Sequence, residues 1–171
     1  MEKTAVRKKR KLKDWVKSGM LIVLVSSAII GLRATDILTM NTVDGQSMLP
    51  NFHSGDLVFM SGIPELRRYD VVTATAKTGT EVIKRIIGLA GETIKYEGRH
   101  IYINGELADE SFIAEGVEIS SQSFSANKTG EITLGQNEYF IAGDNRDNSV
   151  DSRTYGGVDR SAIHGRVIAK W

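Results

Sequence analysis

The residue best placed to act as a nucleophile is Ser47, in the stretch VDGQSMLPN from Val43 to Asn51. Gly45 and Pro50 flank it, and both are typical of turns, so one interpretation is a serine that only forms part of a turn. The other interpretation is a nucleophile, and a serine is unreactive at neutral pH unless a base accepts its proton. The second interpretation therefore requires a base elsewhere in the chain.

The three histidines offer no convincing base for this serine. His53 is near Ser47 only in sequence, His100 lies inside a predicted hairpin, and His164 precedes the last predicted strand. Each position is more typical of a surface or partly buried histidine than of a catalytic one.

Lys84 is a better candidate, because it interrupts the apolar stretch VIKRIIGLAG. An exposed strand face carrying Lys84 and Arg85 would also explain the pattern. A lysine with the ordinary pKa near 10.4 is neutral in only about one molecule in 2,000 at pH 7, so a basic role requires a lowered pKa. Burial would lower the pKa of the amine, and the flanking residues that could bury it are Val82, Ile83, Ile86 and Ile87.

A third polar element, GDNRDNSVDSRTYGG, follows a predicted strand at Gly143 to Gly157. It begins like a calcium-binding EF-hand loop, but Arg146 occupies a ligand position and Ser149 the position of the required glycine, which excludes that site. A solvated charged turn is one interpretation of its interleaved aspartates and arginines. The other is a polar platform that orients a neighbouring site.

These three stretches, in this order, resemble the conserved boxes of the type I signal peptidases, membrane-anchored serine proteases with a Ser-Lys dyad. GQSMLPN is similar to the nucleophile box, VIKRIIGLAGE to the lysine box and GDNRDNSVDSRTYGGV to the long terminal box. With RRYDVV before the lysine box, the likeness spans most of residues 43–158. It implies a largely antiparallel β fold of the signal peptidase and LexA-like type, exported preproteins as substrates, and no metal or other cofactor.

The resemblance also implies roles for individual residues. Ser47 would be the nucleophile, with its backbone N–H as one oxyanion donor, and Lys84 would be the general base. The implied supporting residues are Ser149, which would orient the lysine, and the ion pairs Asp144–Arg85 and Asp151–Arg153. The implied substrate-binding residues are Val43, Gly45, Met48 and Ile83, of which Val43 and Ile83 would line a small pocket for alanine.

Three positions depart from the family pattern without removing a reacting group. Asn51 replaces a common threonine, and Ala90 and Glu92 replace the proline and aspartate of GLPGD. A divergent chain of this kind leaves a second interpretation open, namely a signal-peptidase-like factor that assists pilus or surface-protein assembly without proteolysis.

Two other Ser-Lys proteins fit less well. A self-cleaving LexA-like repressor needs a DNA-binding helical domain, whereas this chain begins with a basic tail and an apolar run, so we expect no nucleic acid partner. The Ser-x-x-Lys arrangement of penicillin-recognising enzymes is excluded, because Pro50 stands three residues after Ser47.

The N-terminal segment predicts a membrane anchor. Residues 1–33 hold nine of the 22 Lys and Arg but two of the 21 Asp and Glu, which leaves residues 34–171 with a formal charge of −6. The uncharged run 19–32 is about 21 Å long as a helix, and extension to Trp15 approaches the roughly 30 Å of a bilayer core. RATD at 33–36 does not resemble a cleavage site, which argues against a cleaved signal peptide.

This anchor divides the chain into a basic cytoplasmic tail at 1–14, a transmembrane segment at 15–33 and an external domain at 34–171. The positive-inside rule gives this orientation and makes membrane lipid a partner.

Short β-type runs follow the anchor and predict an irregular antiparallel barrel or sandwich. Examples are DLVFMS, YDVVTAT, EVIKRIIGL and a hairpin centred on Glu97 and Gly98. The 17 glycines fit many turns, and the absence of cysteine excludes disulfides and thiolate chemistry. The segment 105–130, acidic and then serine-rich, is predicted to be a surface excursion of low order.

Overall fold

Antiparallel β-strands dominate the chain. The structure, a computed structural model, describes residues 19–20, 38–62, 65–98, 100–113 and 129–171. Within those ranges the strands are β1 (Leu38–Thr42), β2 (Leu57–Ser61), β3 (Val71–Thr75), β4 (Glu81–Gly88), β5 (Thr93–Glu97), β6 (His100–Ile103), β7 (Glu106–Leu107), β8 (Thr129–Thr133), β9 (Glu138–Ala142), β10 (Val158–Asp159) and β11 (Ile163–Lys170). The prediction of a mainly β fold is confirmed.

The strands form two sheets, and every pair of neighbours is antiparallel. The large sheet has the order β1-β2-β11-β3-β4-β9-β10, and the small sheet has the order β7-β6-β5-β8. Strand β11 therefore lies between β2 and β3, which would otherwise be neighbours in chain order. Beyond the end of β11, Leu57 and Trp171 exchange backbone hydrogen bonds of 3.0 and 2.8 Å.

Buried apolar side chains from the strands form three clusters. One lies beneath the turn after β1 and consists of Val43, Met48, Phe52, Val58, Val71 and Ile83. A second, including Val72, Ile86, Ile141 and Ile163, fills the centre of the large sheet. The third joins the two sheets through Ile87, Ile94, Ile101, Leu134, Phe140 and Ala142. The apolar side chains of the central strands thus pack against other elements, whereas Met40 of β1 and Leu107 of β7 are exposed.

The hairpin predicted around Glu97 and Gly98 is present, since β5 and β6 pair with Glu97 opposite His100. The next turn, between β6 and β7, contains Asn104 and Gly105 with φ angles of 51° and 89°. Two positive φ angles define the type I′ hairpin, which favours the Asn-Gly pair. In the predicted excursion 105–130, β7 pairs with β6 and the Ala108 N–H donates to the Ile101 carbonyl at 2.9 Å. Residues 129–130 begin β8, and residues 114–128 lie outside the described ranges.

Helices are short in the described ranges. The helix α1 (Ser152–Tyr155) is capped by the Asp151 side chain, which accepts from the Arg153 N–H, and a 3₁₀ turn spans Arg160–Ala162. None of the helices in these ranges combines the length and apolarity needed to cross a membrane. The predicted tail and anchor, 1–33, lie outside the ranges apart from Gly19 and Met20, which are helical.

Candidate active site

The turn after β1 and the middle of β4 bring Ser47 and Lys84 together. Lys84 Nζ lies 2.7 Å from Ser47 Oγ and donates a hydrogen bond of 2.8 Å to the Ile83 carbonyl. The two side chains come from positions 37 residues apart in sequence. A nucleophile and a base within hydrogen-bonding distance form the geometry that activation of a serine requires.

Lys84 is buried, with 3% of its surface exposed. Burial lowers the pKa of its amine to about 8, while the negative charges of Asp151 and Asp144 oppose that shift. Desolvation penalises the ammonium form, and nearby carboxylates favour it. About a tenth of the lysine is therefore neutral at pH 7 and able to accept a proton, compared with about one molecule in 2,000 for an ordinary lysine.

The Ser47 turn (residues 45–52) is held by main-chain hydrogen bonds. Gly45 has a φ angle of 90°, which favours glycine at this position. Within the turn, the N–H of Phe52 donates to the Met48 carbonyl at 2.9 Å. The N–H of Asn145 donates to the Ser47 carbonyl at 3.0 Å, which fixes the turn to the loop after β9.

That loop, residues 143–151 (the 143–151 loop), carries two buried carboxylates with arginine partners. Arg85 donates to both oxygens of Asp144, from Nε at 2.8 Å and from Nη2 at 2.7 Å. The Asp144 side chain has no exposed surface. Arg85 therefore neutralises a carboxylate that lies close to the amine of Lys84.

Asp151 and Arg153 form the second pair, with both side chains 0% exposed. Arg153 donates from Nε at 2.9 Å and from Nη2 at 2.8 Å, and the Gly143 N–H adds a third bond to Asp151 at 3.0 Å. Although burial disfavours its ionised form, the pKa of Asp151 is held below its ordinary value by Arg153, Gly143 and the Ser149 hydroxyl. Ser149 thus contacts Asp151, and its role in orienting Lys84 stays a prediction.

A cleft of about 470 Å³ opens beside the dyad. Val43 and Ile83 line it together with Val58, Val82 and Val150. Met48 has 1% of its surface exposed and packs in the cluster beneath the cleft, so its side chain supports the wall and does not line it. The three histidines are exposed and absent from the lining of this cleft.

Several contacts of the site involve residues that the sequence did not single out as functional. Asn51, noted only as a departure from the family pattern, donates to Asp144 at 2.9 Å and to the Phe112 carbonyl at 2.8 Å. Glu110 forms an ion pair with the buried Arg146. The sequence signal for these contacts is weak, because each joins positions at least 36 residues apart.

Glu92, a second polar departure from the family pattern, also has partners in the fold. Arg68 donates to its two carboxylate oxygens at 2.5 and 3.0 Å, and the Leu89 N–H donates to it at 2.7 Å. Both Asn51 and Glu92 thus have specific partners. Among the described residues, no group of three or more His, Asp or Glu is placed to hold a metal ion.

Comparisons with known proteins all match this chain to one family. The family described as "Signal peptidase, peptidase S26" matches residues 12–171. The chain is 33% identical over 160 residues to Signal peptidase I S of Bacillus subtilis, covering 90% of this chain and 84% of that protein. It is 30% identical over 167 residues to Signal peptidase I V of the same organism, covering 92% of this chain and 97% of that protein.

A solved structure is also similar. The crystal structure of a signal peptidase I from Enterococcus faecalis V583 matches with a TM-score of 0.52 and 31% sequence identity. The match covers 63% of this chain and 99% of that one.

Proposed function

The chain belongs to the signal peptidase family, peptidase S26, and from this membership we propose that it is a type I signal peptidase that uses Ser47 and Lys84 to cut exported preproteins. It is a serine endopeptidase, as its relatives named signal peptidase I indicate. The observation that carries the assignment of the dyad is the distance of 2.7 Å between Lys84 Nζ and Ser47 Oγ.

The reaction follows from this geometry. Neutral Lys84 accepts the proton of Ser47 as Oγ attacks the carbonyl carbon of the scissile bond, and the backbone N–H of Ser47 donates to the oxyanion. Collapse of the tetrahedral intermediate breaks the C–N bond, and protonated Lys84 gives its proton to the leaving amine. Lys84 then accepts a proton from the water that attacks the acyl carbon, and collapse of the second tetrahedral intermediate breaks the C–Oγ bond as Lys84 returns the proton to Ser47 Oγ.

The cleft favours an extended substrate with small side chains. In the described part of the sheet, β9 pairs with β4 only along Arg85–Gly88, which leaves Glu81–Lys84 without a neighbour on that side. A peptide can add to such an edge as a strand. Val43 and Ile83 then lie beside the residue before the scissile bond, which explains a preference for alanine there.

The assignment is tested by incubating the purified full-length protein with a preprotein that carries an A-x-A site. We expect a single cut after the second alanine, read by mass spectrometry of the product. The matched control is the same preprotein with the second alanine replaced by tryptophan, which the small pocket excludes. Cleavage of neither preprotein, or equal cleavage of both, would contradict the assignment.

The proposed location is the cell membrane, with residues 1–14 in the cytoplasm, 15–33 across the bilayer and 34–171 outside. The charge asymmetry about the apolar run supports this orientation. Protease added to intact protoplasts is expected to digest residues 34–171, and their complete protection would rule the orientation out.

The assembly-factor interpretation is not favoured, because the relatives are named signal peptidase I. Pilus and surface-protein subunits are therefore not proposed as partners.

The activity is expected to rise with pH through a single limb near pH 8, because Lys84 has its pKa lowered to about 8 and must be neutral to act. Between pH 6 and pH 8 the neutral fraction increases about fifty-fold. The measurement is kcat/KM against pH with a peptide that does not titrate in this range. A limb near pH 6.5 that disappears on replacement of His53 would refute the lysine as base.

A further inference from the structure

Asn51 lies four residues after Ser47 and is bound through both its side chain and its main chain. Its Nδ2 donates to Asp144 Oδ2 at 2.9 Å and to the Phe112 carbonyl at 2.8 Å, so both N–H groups of the amide have acceptors. Its own carbonyl accepts from Lys170 Nζ at 2.6 Å. Asn51 thus joins the Ser47 turn to the 143–151 loop and to the segment that follows β7.

Phe112 supports the same group of side chains from the other side. The Arg85 guanidinium lies over its ring at 4.4 Å from the centroid, and the Tyr69 ring is 5.1 Å away. Arg85 also donates to the Tyr69 carbonyl at 2.9 Å. Asp144 consequently receives hydrogen bonds from Arg85 and Asn51, and Phe112 contacts both of these donors.

The position of the 143–151 loop bears directly on the nucleophile. A Cβ built on Gly143 would lie 2.5 Å from the Ser47 carbonyl oxygen, so the two main chains are in close contact. The Asn145 N–H bond to that carbonyl is one attachment. Asn145 Nδ2 and Asn148 Nδ2 also donate to Gln46, at 3.1 Å to its carbonyl and at 3.5 Å to its Oε1. These bonds all lie at Gln46 and Ser47, so the Asn51–Asp144 bond adds an attachment at the other end of the turn.

We propose that Asn51 and Phe112 form a brace that holds the Ser47 turn against the 143–151 loop, with Asn51 as a positioning residue for the nucleophile. This inference rests on the proposed function, because its expected effect is on the rate of peptide cleavage. A displacement of a reacting group by about 1 Å can reduce the rate about 100-fold. Because the brace positions the nucleophile, we expect its loss to slow the chemical step and to leave substrate binding unchanged.

The first test is the kinetics of the full-length Asn51→Ala protein on an A-x-A peptide. We expect kcat to fall about tenfold or more while KM changes less than about twofold. Asn51→Thr, which keeps one donor, is expected to lose less. The matched control is Asn137→Ala, because Asn137 also donates to an aspartate, Asp159, on the exposed surface. Equal kcat for Asn51→Ala and Asn137→Ala, at a temperature where both are folded, would overturn the proposal.

A second test uses the other half of the brace. Phe112→Leu keeps the backbone carbonyl and removes the ring beneath Arg85, so we expect a smaller fall in kcat. Because both residues act on Asp144, the double variant with Asn51→Ala is expected to lose less than the product of the two single losses. A loss equal to that product would mean that the residues act separately and that no brace exists.

A third readout does not depend on proteolysis. The charged groups facing Lys84 are Asp144 and Asp151, and Asp44 and Glu81 line the same cleft. Removing the Asn51 amide leaves Asp144 with one hydrogen-bond donor fewer and opens this contact to water, so the pKa of Lys84 measured by NMR of its ¹³Cε is expected to rise. An unchanged pKa of Lys84 in the Asn51→Ala protein would overturn the brace, whether or not the wild-type protein cleaves peptides. Absence of cleavage by the wild-type protein would instead count against the proposed function.

Discussion

Ser47→Ala and Lys84→Ala proteins are each expected to lose cleavage of an A-x-A preprotein by a factor on the order of 10³ or more. The two side chains act as a unit, so removing either one abolishes the nucleophilic pathway. The double variant is therefore expected to be no less active than either single variant. The measurement is single-turnover cleavage with enzyme in excess over the preprotein.

Matched controls for this experiment lie on the surface. Ser161→Ala removes a hydroxyl bonded to Asp159 at 2.7 Å, and Lys95→Ala removes an exposed amine paired with Glu97 at 2.6 Å. Both controls should retain wild-type activity. Cleavage by the Ser47→Ala, Lys84→Ala double variant at the wild-type rate would disprove the dyad.

The lysine also has a consequence for stability. Its pKa is lowered to about 8 in the folded protein from the ordinary lysine value of 10.5. Between these values the unfolded chain binds more protons than the folded one, so the contribution of this group to the free energy of unfolding increases as pH rises from about 8 to 10.5. Lys84→Met is expected to remove that contribution and to unfold at a higher temperature than the wild type below pH 8.

Arg153→Met is expected to lower the free energy of unfolding by about 3–5 kcal/mol. The substitution leaves the Asp151 carboxylate buried without its cation, and both side chains are 0% exposed. Asp151 also accepts from the Gly143 N–H and caps α1, so its displacement would disturb the loop beside Ser47. The melting temperature is expected to fall by roughly 10 °C or more.

The control for this variant is Arg67→Met, which breaks an exposed pair with Glu65. Exposed ion pairs contribute about 0–1 kcal/mol, so its melting temperature should stay near that of the wild type. If both variants melt at the same temperature, the buried pair does not stabilise the fold.

The local features of this protein were predictable from the sequence. A short apolar run predicted β4, and alternation of apolar and polar residues predicted the hairpin of β5 and β6, because both patterns are properties of the strands themselves. Lys84 was recognisable because a cation in an apolar run conflicts with burial unless it has a purpose. Arg85, which follows Lys84 in the same strand, could be paired with Asp144 only through the family resemblance.

The features that the sequence did not predict depend on contacts between distant positions. The insertion of β11 between β2 and β3 follows from sheet pairing, for which neither the apolar pattern nor the turn residues carry a signal. Asn51 illustrates the same limit at the site. Its neighbour Pro50 indicates a turn, but its partners Asp144 and Phe112 lie 93 and 61 residues away.

The place of β11 in the large sheet sets the order in which a newly made chain can become active. The ribosome releases the residues of the dyad well before Ile163–Lys170, the strand that joins β2, next to the Ser47 turn, to β3, the partner of β4. A nascent chain can therefore contain Ser47 and Lys84 but still lack β11, the strand that joins β1 and β2 to β3 and β4 in the sheet. A chain truncated before Ile163 is therefore expected not to cleave an A-x-A preprotein, even though it contains both residues of the dyad.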